Sequence, residues 1–323
     1  MLVDDDGGHA LVTIVMVPRE KHALTGAMID RLLSMSTPPF ELVVVDDVRA
    51  PRKLRRWLTT EAARVGFRHI ELDHAAGVNE ARMAGFTAAH TPYVIFMDND
   101  VWLHDGAVDA LLSCADETDA SCVAPVYCLG RRDDDMVHHA CGGAEIITVD
   151  GRRRLRESQL FHERRLRDVR DQMHRQQCES VELHCALVRT ESLREAGGLD
   201  TRLASSMDCL DLAFRMQDRA AGVWFEPSAV VTYDPSSPRL GDLSMFLSRW
   251  SARQINRDIE QFASEWDLDP DDPWLDRHRY WLGQRRWKFL GSFRRVARTV
   301  AGRRGRRILR RTADAVVNRT VGR

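Results

Sequence analysis

Five apolar residues, Tyr93-Val94-Ile95-Phe96-Met97, run without a polar break into Asp98-Asn99-Asp100. A short unbroken run of this kind reads as a strand buried on both faces, and such strands belong in mostly parallel sheets covered by helices. Charge cannot sit inside such a strand, so Asp98 and Asp100 must emerge at its carboxyl end. In open α/β sheets that end is where ligands bind. Two hard oxygen donors held together suit a divalent Mg2+ or Mn2+ that also grips phosphate. An acidic turn closing a strand is the plainer reading of the same residues.

The preceding segments repeat the pattern. Residues 10–17 make a buried strand ended by Pro18, and Ala27, Ile29, Leu32 and Leu33 then space an amphipathic helix that Pro38-Pro39 stop. Residues 40–45 form another buried strand, which also ends in acids, Asp46-Asp47. A charged helix over 51–65, a strand over 67–72 and a helix over 79–89 lead to the central strand. Strand alternating with helix predicts βαβ units and a parallel sheet. Two strands thereby deliver carboxylates, Asp46 and the Asp98/Asp100 pair, to one edge. One carboxylate can hydrogen-bond a base or ribose while the pair engages metal and diphosphate. Neither Gly-x-Gly-x-x-Gly nor a P-loop with its lysine follows the first strand, which sets aside dinucleotide and P-loop readings.

Beyond Asp100 the pattern predicts a helix over 109–115 and a strand over 120–129. A polar stretch, 130–178, holds a strand at 144–149 and a long charged helix at 163–177, whose charges read as a solvated face. Residues 181–189 are strand-like, and 191–196 make a short helix stopped by Gly197-Gly198. Asp208 opens a helix with Leu210, Ala213 and Phe214 on its apolar face and Asp208, Asp211 and Arg215 on a second stripe. A strand over 223–231 closes the core and ends in Tyr233-Asp234. From Pro235 onward, prolines punctuate helical stretches carrying Trp250, Trp266, Trp274, Trp281 and Trp287, read as packing residues rather than a nucleic-acid stacking platform.

A length of 323 residues predicts one large domain with an appendage, or two domains, and 44% hydrophobic with 29% charged residues is the balance of a soluble globular protein. No apolar run reaches the roughly 18–20 residues that span a bilayer. The acidic, Gly-containing start is the opposite of a signal peptide. Seven cysteines with no Cys-x-x-Cys predict reduced thiols in a cytoplasm rather than a disulfide framework or zinc site. A net charge of -1 hides an arginine-crowded C-terminus. There Val296, Val300, Ile308 and Leu309 give a basic amphipathic helix, compatible with peripheral contact at the inner membrane face or with a solvated tail. The acidic main body argues against nucleic acid.

Four pieces in this order resemble the family 2 group of GT-A glycosyltransferases, over roughly residues 10–234. They are Glu41 to Asp47; Asn79 to Gly85; Val94 to Asp100; and Leu187-Val188-Arg189 through Gly198-Leu199-Asp200 to Asp211-Leu212 and Arg215. The chain looks closest to a bacterial subgroup with Pro-Arg-Glu after the first strand, here Pro18-Arg19-Glu20, and a Trp-rich helical tail. The resemblance implies a GT-A, Rossmann-like, mostly parallel central sheet flanked by helices, with a helical C-terminal extension. Residues 1–9 would be a disordered N-terminus and 10–101 the nucleotide-sugar-binding half. Residues 102–235 would be the acceptor-binding half of the same domain, and 236–323 the helical extension with its basic tail.

The implied activity is transfer of a sugar, with inversion, from a UDP- or GDP-linked donor to a hydroxyl or other nucleophile of a glycan, lipid carrier, peptide or small natural product. Pro18, Arg19, Glu20, Asp46, Asn79, Arg82, Asp98, Asn99 and Asp100 would line the donor site, with Asp46 at the base and Arg82 in the nucleotide pocket. Asp98 and Asp100 would hold ribose and a Mn2+ or Mg2+ ion, which acts as Lewis acid on the departing diphosphate.

Two departures stand out. Inverting members present Glu-Asp-x-Asp at the helix start, the second residue being the base, where this chain has Asp208-Cys209-Leu210-Asp211. A thiol, with a reference pKa of about 8.5, replaces the carboxylate poorly, so Asp208 is expected to serve and Asp211 stands in reserve. The family's metal-binding His after the last core strand is replaced by Tyr233-Asp234, which leaves Asp234 as third ligand. His184, beside Glu182, is expected on the acceptor side, and His138 and His139 are assigned no role. The rival readings are a non-catalytic nucleotide-sugar-binding member and a haloacid dehalogenase-type phosphatase, whose first motif is also an apolar strand leading to Asp-x-Asp.

Overall fold

A computed structural model describes residues 10–35, 37–130, 135–219, 221–236 and 239–289. The expected N-terminal segment and the basic C-terminal helix lie outside these residues. Strands β1 (Val12–Val17), β2 (Phe40–Asp47), β3 (Arg68–Leu72) and β4 (Tyr93–Asp98) alternate with α1 (Thr25–Ser34), α2 (Arg52–Val65) and α3 (Val78–Thr87). There follow β5 (Val101–Leu103), α4 (Ala107–Thr118) and β6 (Cys122–Leu129), then β7 (Met136–His139), β8 (Gly143–Val149) and β9 (Arg152–Ser158). A single turn, α5 (Leu166–Val169), and β10 (Gln176–Cys178) precede β11 (Cys185–Arg189), α6 (Thr190–Glu195), α7 (Asp208–Gln217) and β12 (Val223–Tyr233). The described chain ends in α8 (Leu243–Arg249), α9 (Ala252–Glu265) and α10 (Pro273–Phe289).

The main sheet runs β10-β12-β6-β11-β4-β1-β2-β3, with β5 and β7 on its margin. Its β3-β2-β1-β4 half is parallel throughout, and β11 alone turns against both β4 and β6. Every residue of β1 and β4 is buried, as unbroken apolar runs between two helical layers require. The expected mixed α/β architecture with a helical C-terminal part is what the chain adopts. A second apolar cluster joins Met207, Leu210 and Phe214 of the α7 region to Ile255, Ile259 and Phe262 of α9 and Leu275 of α10. This packing seats the C-terminal helices beside the start of α7.

The long helix expected at 163–177 does not form. The Glu163 N–H donates to the Val137 carbonyl at 2.9 Å and the Val137 N–H to the Arg164 carbonyl at 2.8 Å, so β7 draws that backbone into pairing. Only the single turn α5 and a 3-10 turn over Arg170–Gln172 remain. In the β8–β9 hairpin, the arginine-rich strand β9 is anchored by the fully buried Leu155. Tryptophan behaves as expected at Trp250, which is buried, and differs at Trp281, which is 51% exposed.

Candidate active site

Strand register collects distant residues at one edge. Val17 lies opposite Asp98 in the parallel β1–β4 pair, so the chain leaving β1 passes alongside Asp98-Asn99-Asp100. Cys185 lies opposite Met97 in the antiparallel β11–β4 pair, which brings Glu182 and His184 to the same end. The Asp98 N–H donates to the His184 carbonyl at 3.0 Å, and the Asp234 N–H to the Asp100 carbonyl at 3.0 Å as β12 returns. α3 supplies Arg82, and the first turn of α7 supplies Asp208 and Cys209.

Asp98, Asp100 and Asp208 each meet a cation of the chain. His184 Nδ1 lies 2.8 Å from Asp98 Oδ2, and Arg82 Nη2 lies 3.4 Å from Asp98 Oδ1. Burial alone would raise the Asp98 carboxyl, but His184 and Arg82 hold it well below the usual range. His184 stacks on Tyr233 with ring centroids 4.5 Å apart, and against the cost of burial the Asp98 and Glu182 carboxylates raise its imidazole above the ordinary value. Arg82 Nη1 donates to Asp208 Oδ2 at 2.5 Å and to Asn79 Oδ1 at 3.3 Å, and Asn79 in turn donates to the Asp200 carbonyl at 3.0 Å. Asn79 therefore sets Arg82 in place.

Lys21, which the sequence reading missed, donates from Nζ to Asp100 Oδ2 at 2.7 Å and to the Asp234 carbonyl, and lies 4.3 Å from the centre of the Tyr233 ring. The one signal for it was position, directly after Pro18-Arg19-Glu20. Asn99 serves this loop: its side chain accepts from the Arg19 N–H at 3.4 Å and donates to the Glu20 and Lys21 carbonyls at 2.9 and 3.3 Å. Its amide groups thereby shape the loop that carries Arg19 and Lys21. Glu20 likewise turns to α8 and its end, accepting from Trp250 Nε1 at 2.5 Å and Arg249 Nη1 at 3.3 Å.

Other expected residues are placed apart. Asp211 is fully buried, accepts from Arg215 Nε at 2.8 Å and Trp266 Nε1 at 3.1 Å, and does not line the cleft beside Asp98. Asp46 is buried with no hydrogen-bond partner among the described residues, and His69 Nε2 lies 3.4 Å from its Oδ1. Alternation along β2 turns the next residue, Asp47, the other way, to Arg49 and the Ala76 N–H. The Asp234 carboxylate caps its own turn by accepting from the Ser236 N–H at 2.6 Å. Asp98, Asp100 and Asp234 are all engaged otherwise, and among the described residues no three His, Cys, Asp or Glu side chains gather that could hold a metal. As arranged, these side chains do not fit a Mn2+ or Mg2+ ion.

The cleft beside Asp98 is lined by Glu182, His184, Asp208 and Cys209, and from the C-terminal helices by Trp250 and Trp281. Cys209 Sγ donates to Glu182 Oε2 at 3.5 Å. Burial, then the Glu182 and Asp208 carboxylates, push its thiol far above the usual range, so it stays protonated. Glu182 is fixed by Tyr127, whose hydroxyl donates to the Glu182 carbonyl at 2.8 Å and accepts from its N–H at 3.1 Å. Burial would raise the Glu182 carboxyl, but His184, His139 and His138 together bring it below its ordinary value. All seven cysteines are free, and no described helix is long and apolar enough to cross a membrane.

Residues 13–197, more than half of the chain, match the family model described as Glycosyl transferase family 2. Solved structures share the fold at low identity. GalNAc-T7 with UDP, GalNAc and Mn2+ superposes with a TM-score of 0.55 at 12% identity, covering 81% of this chain and 55% of its own. Residues 1–349 of TarS from S. aureus, in complex with UDP-GlcNAc, give 0.52 at 14% identity over 86% of this chain and 73% of that one. The mannosyltransferase PcManGT from Pyrobaculum calidifontis, with GDP-Man and Mn2+, gives 0.51 at 15% identity over 98% and 83%. The chain thus spans little more than half the length of the first of these. Among curated proteins, none matches the sequence.

Proposed function

The chain belongs to glycosyl transferase family 2, and from that premise we propose that it transfers a sugar, with inversion, from a nucleoside diphosphate donor to an acceptor hydroxyl. The observation that carries the catalytic reading over a purely binding one is Glu182. Its carboxylate lies 3.5 Å from the Cys209 thiol, the position at which the family resemblance calls for a base. A carboxylate is therefore available within a hydrogen bond of where the α7 start lacks one.

In the reaction so read, the acceptor oxygen attacks the anomeric carbon of the donor sugar. The bond from that carbon to the diphosphate oxygen breaks, and its electron pair leaves with the nucleotide. Glu182 takes the proton of the acceptor hydroxyl as the new bond forms, a role that needs a carboxylate within hydrogen-bond reach. Arg82, held by Asp208 and Asn79, faces the donor side, and Asp208 is the partner of Arg82 in place of the base first expected. The wall formed by Trp250 and Trp281 gives the acceptor an aromatic surface. UDP-GlcNAc and GDP-Man are bound in two of the structures named above and UDP in the third, and we carry UDP- and GDP-linked sugars over as the first candidates.

The phosphatase reading falls with the family assignment and with the place of β4, fourth in the chain rather than first. A non-catalytic binding member remains the second reading, because Cys209 does replace the family's base. Release of nucleoside diphosphate from UDP- and GDP-sugars, measured with the full chain, separates the two. Turnover supports transfer, and tight nucleotide binding without turnover supports the binding member.

A further inference from the structure

Resting on the donor reading above, we infer that the donor's diphosphate is gripped by cations built into the β1–α1 loop, Arg19 and Lys21, and that donor binding needs no divalent ion. Two independent observations converge on that loop. Lys21 Nζ stands 2.7 Å from Asp100 Oδ2 and also donates to the Asp234 carbonyl, which is the place a metal shared by those two residues would take. A divalent ion there would first have to displace a buried ammonium from its ion pair and from the face of Tyr233.

The second observation is a buried guanidinium with no direct ion pair among the described residues. Arg19 is 4% exposed, and its guanidinium donates to the Ala204 carbonyl at 3.0 Å. Its Nε has no partner among the described residues. Arg249, Arg49 and Arg82 all act against its charge and Asp47 acts for it, while each of those arginines already holds a carboxylate of its own in Glu20, Asp47 and Asp208. Arg19 has no such ion pair among the described residues. A guanidinium buried among three others is unfavourable unless an anion joins them, and its planar fork suits phosphate oxygens. The loop is also held in a conformation that a lysine rarely adopts, with Lys21 at φ 52° and Asn99 tying the backbone down on both sides of Glu20.

The chemistry matches the need. Breaking the glycosyl–phosphate bond leaves new negative charge on the diphosphate, and fixed cations in a water-poor site stabilise it as it develops. The Asp100 carboxylate then acts as the positioning residue for Lys21.

Calorimetric titration of the full chain with UDP, GDP, CDP, ADP and dTDP, in excess EDTA and separately in Mn2+, tests this. We expect at least one nucleotide to bind in EDTA with a Kd within about twofold of its value in Mn2+, and Lys21→Met or Arg19→Met to weaken it by about tenfold or more. Melting curves confirm that the variants are folded, and the wild-type comparison stands without them. Binding seen only in Mn2+ overturns the inference and leaves the donor reading intact, as does metal-free binding that neither variant weakens. No binding of any nucleotide in either arm overturns both.

Discussion

Glu182 Oε2 and the Cys209 thiol share a hydrogen bond of 3.5 Å although the residues are 27 positions apart, and this pairing sets a carboxylate at the mouth of α7. If Glu182 takes the acceptor proton, Glu182→Gln lowers kcat by about 10²- to 10⁴-fold while leaving the nucleotide Kd near the parental value. Cys209→Ser, which keeps a small donor beside Glu182, is expected to stay within a few-fold of the parent. Steady-state rates with calorimetric Kd values check both. Parental kcat in Glu182→Gln would return the role to Asp208.

Asp211 and Arg215 form an ion pair at 2.8 Å that is closed off from solvent on the acid's side. Asp211→Ala leaves the guanidinium with Glu265 alone, at 3.1 Å. A loss of about 3 kcal/mol in urea unfolding is expected, the low end for breaking a buried pair. Turnover per folded molecule should be unchanged in the cold, because Asp211 lies away from the cleft.

His138 is held neutral: burial, with smaller contributions from His184 and His139, lowers its imidazole from 6.5 to about 4 against the pull of Glu182. Between those values the unfolded chain binds a proton that the folded chain does not. The stability present above the higher value is therefore lost as pH falls through this window, at up to about 1.4 kcal/mol per pH unit. His138→Gln removes that one-proton slope. Urea unfolding of both proteins from about pH 7 to about pH 4 measures it, and parallel slopes would contradict the expectation.

Gly85 lets α3 lie directly on the sheet, since a Cβ there would run into Val15 Cγ1 and come within 3.2 Å of Val45 Cγ2. Gly85→Ala is expected to destabilise by about 1–3 kcal/mol through overpacking. Because Arg82 rides on the same helix, nucleotide affinity should fall with the melting temperature. A melting scan and a nucleotide titration together show whether the two move in step.

Much of the architecture was readable without coordinates. The apolar runs of β1, β2 and β4, the helices between them, and the acids at the strand tips follow from local periodicity, which side-chain burial obeys residue by residue. The charged helix expected at 163–177 failed for a nonlocal reason: β7 offers that backbone a partner, which no property of the segment itself announces. β9 was hidden because Leu155 is the one buried anchor among arginines.

The site divides the same way. That Asp46, Asp98 and Asp100 come to one edge was legible, because the end of a strand on which a residue falls is set by the order of elements, whereas Asp208 and Asp234 entered through the family resemblance. What each acid faces was not. Lys21 reaches Asp100 across 79 positions, and Glu182 reaches Cys209 through the pairing of β11 with β4. Strand register and side-chain direction decide those partners, and neither is written in the spacing of residues along the chain. The sequence alone thus determined the sheet and the ledge of carboxylates. Only the tertiary structure decided that one of them carries a lysine and that Glu182 stands beside a thiol, because an ion pair or a hydrogen bond depends on distances of a few ångströms that only the folded packing sets.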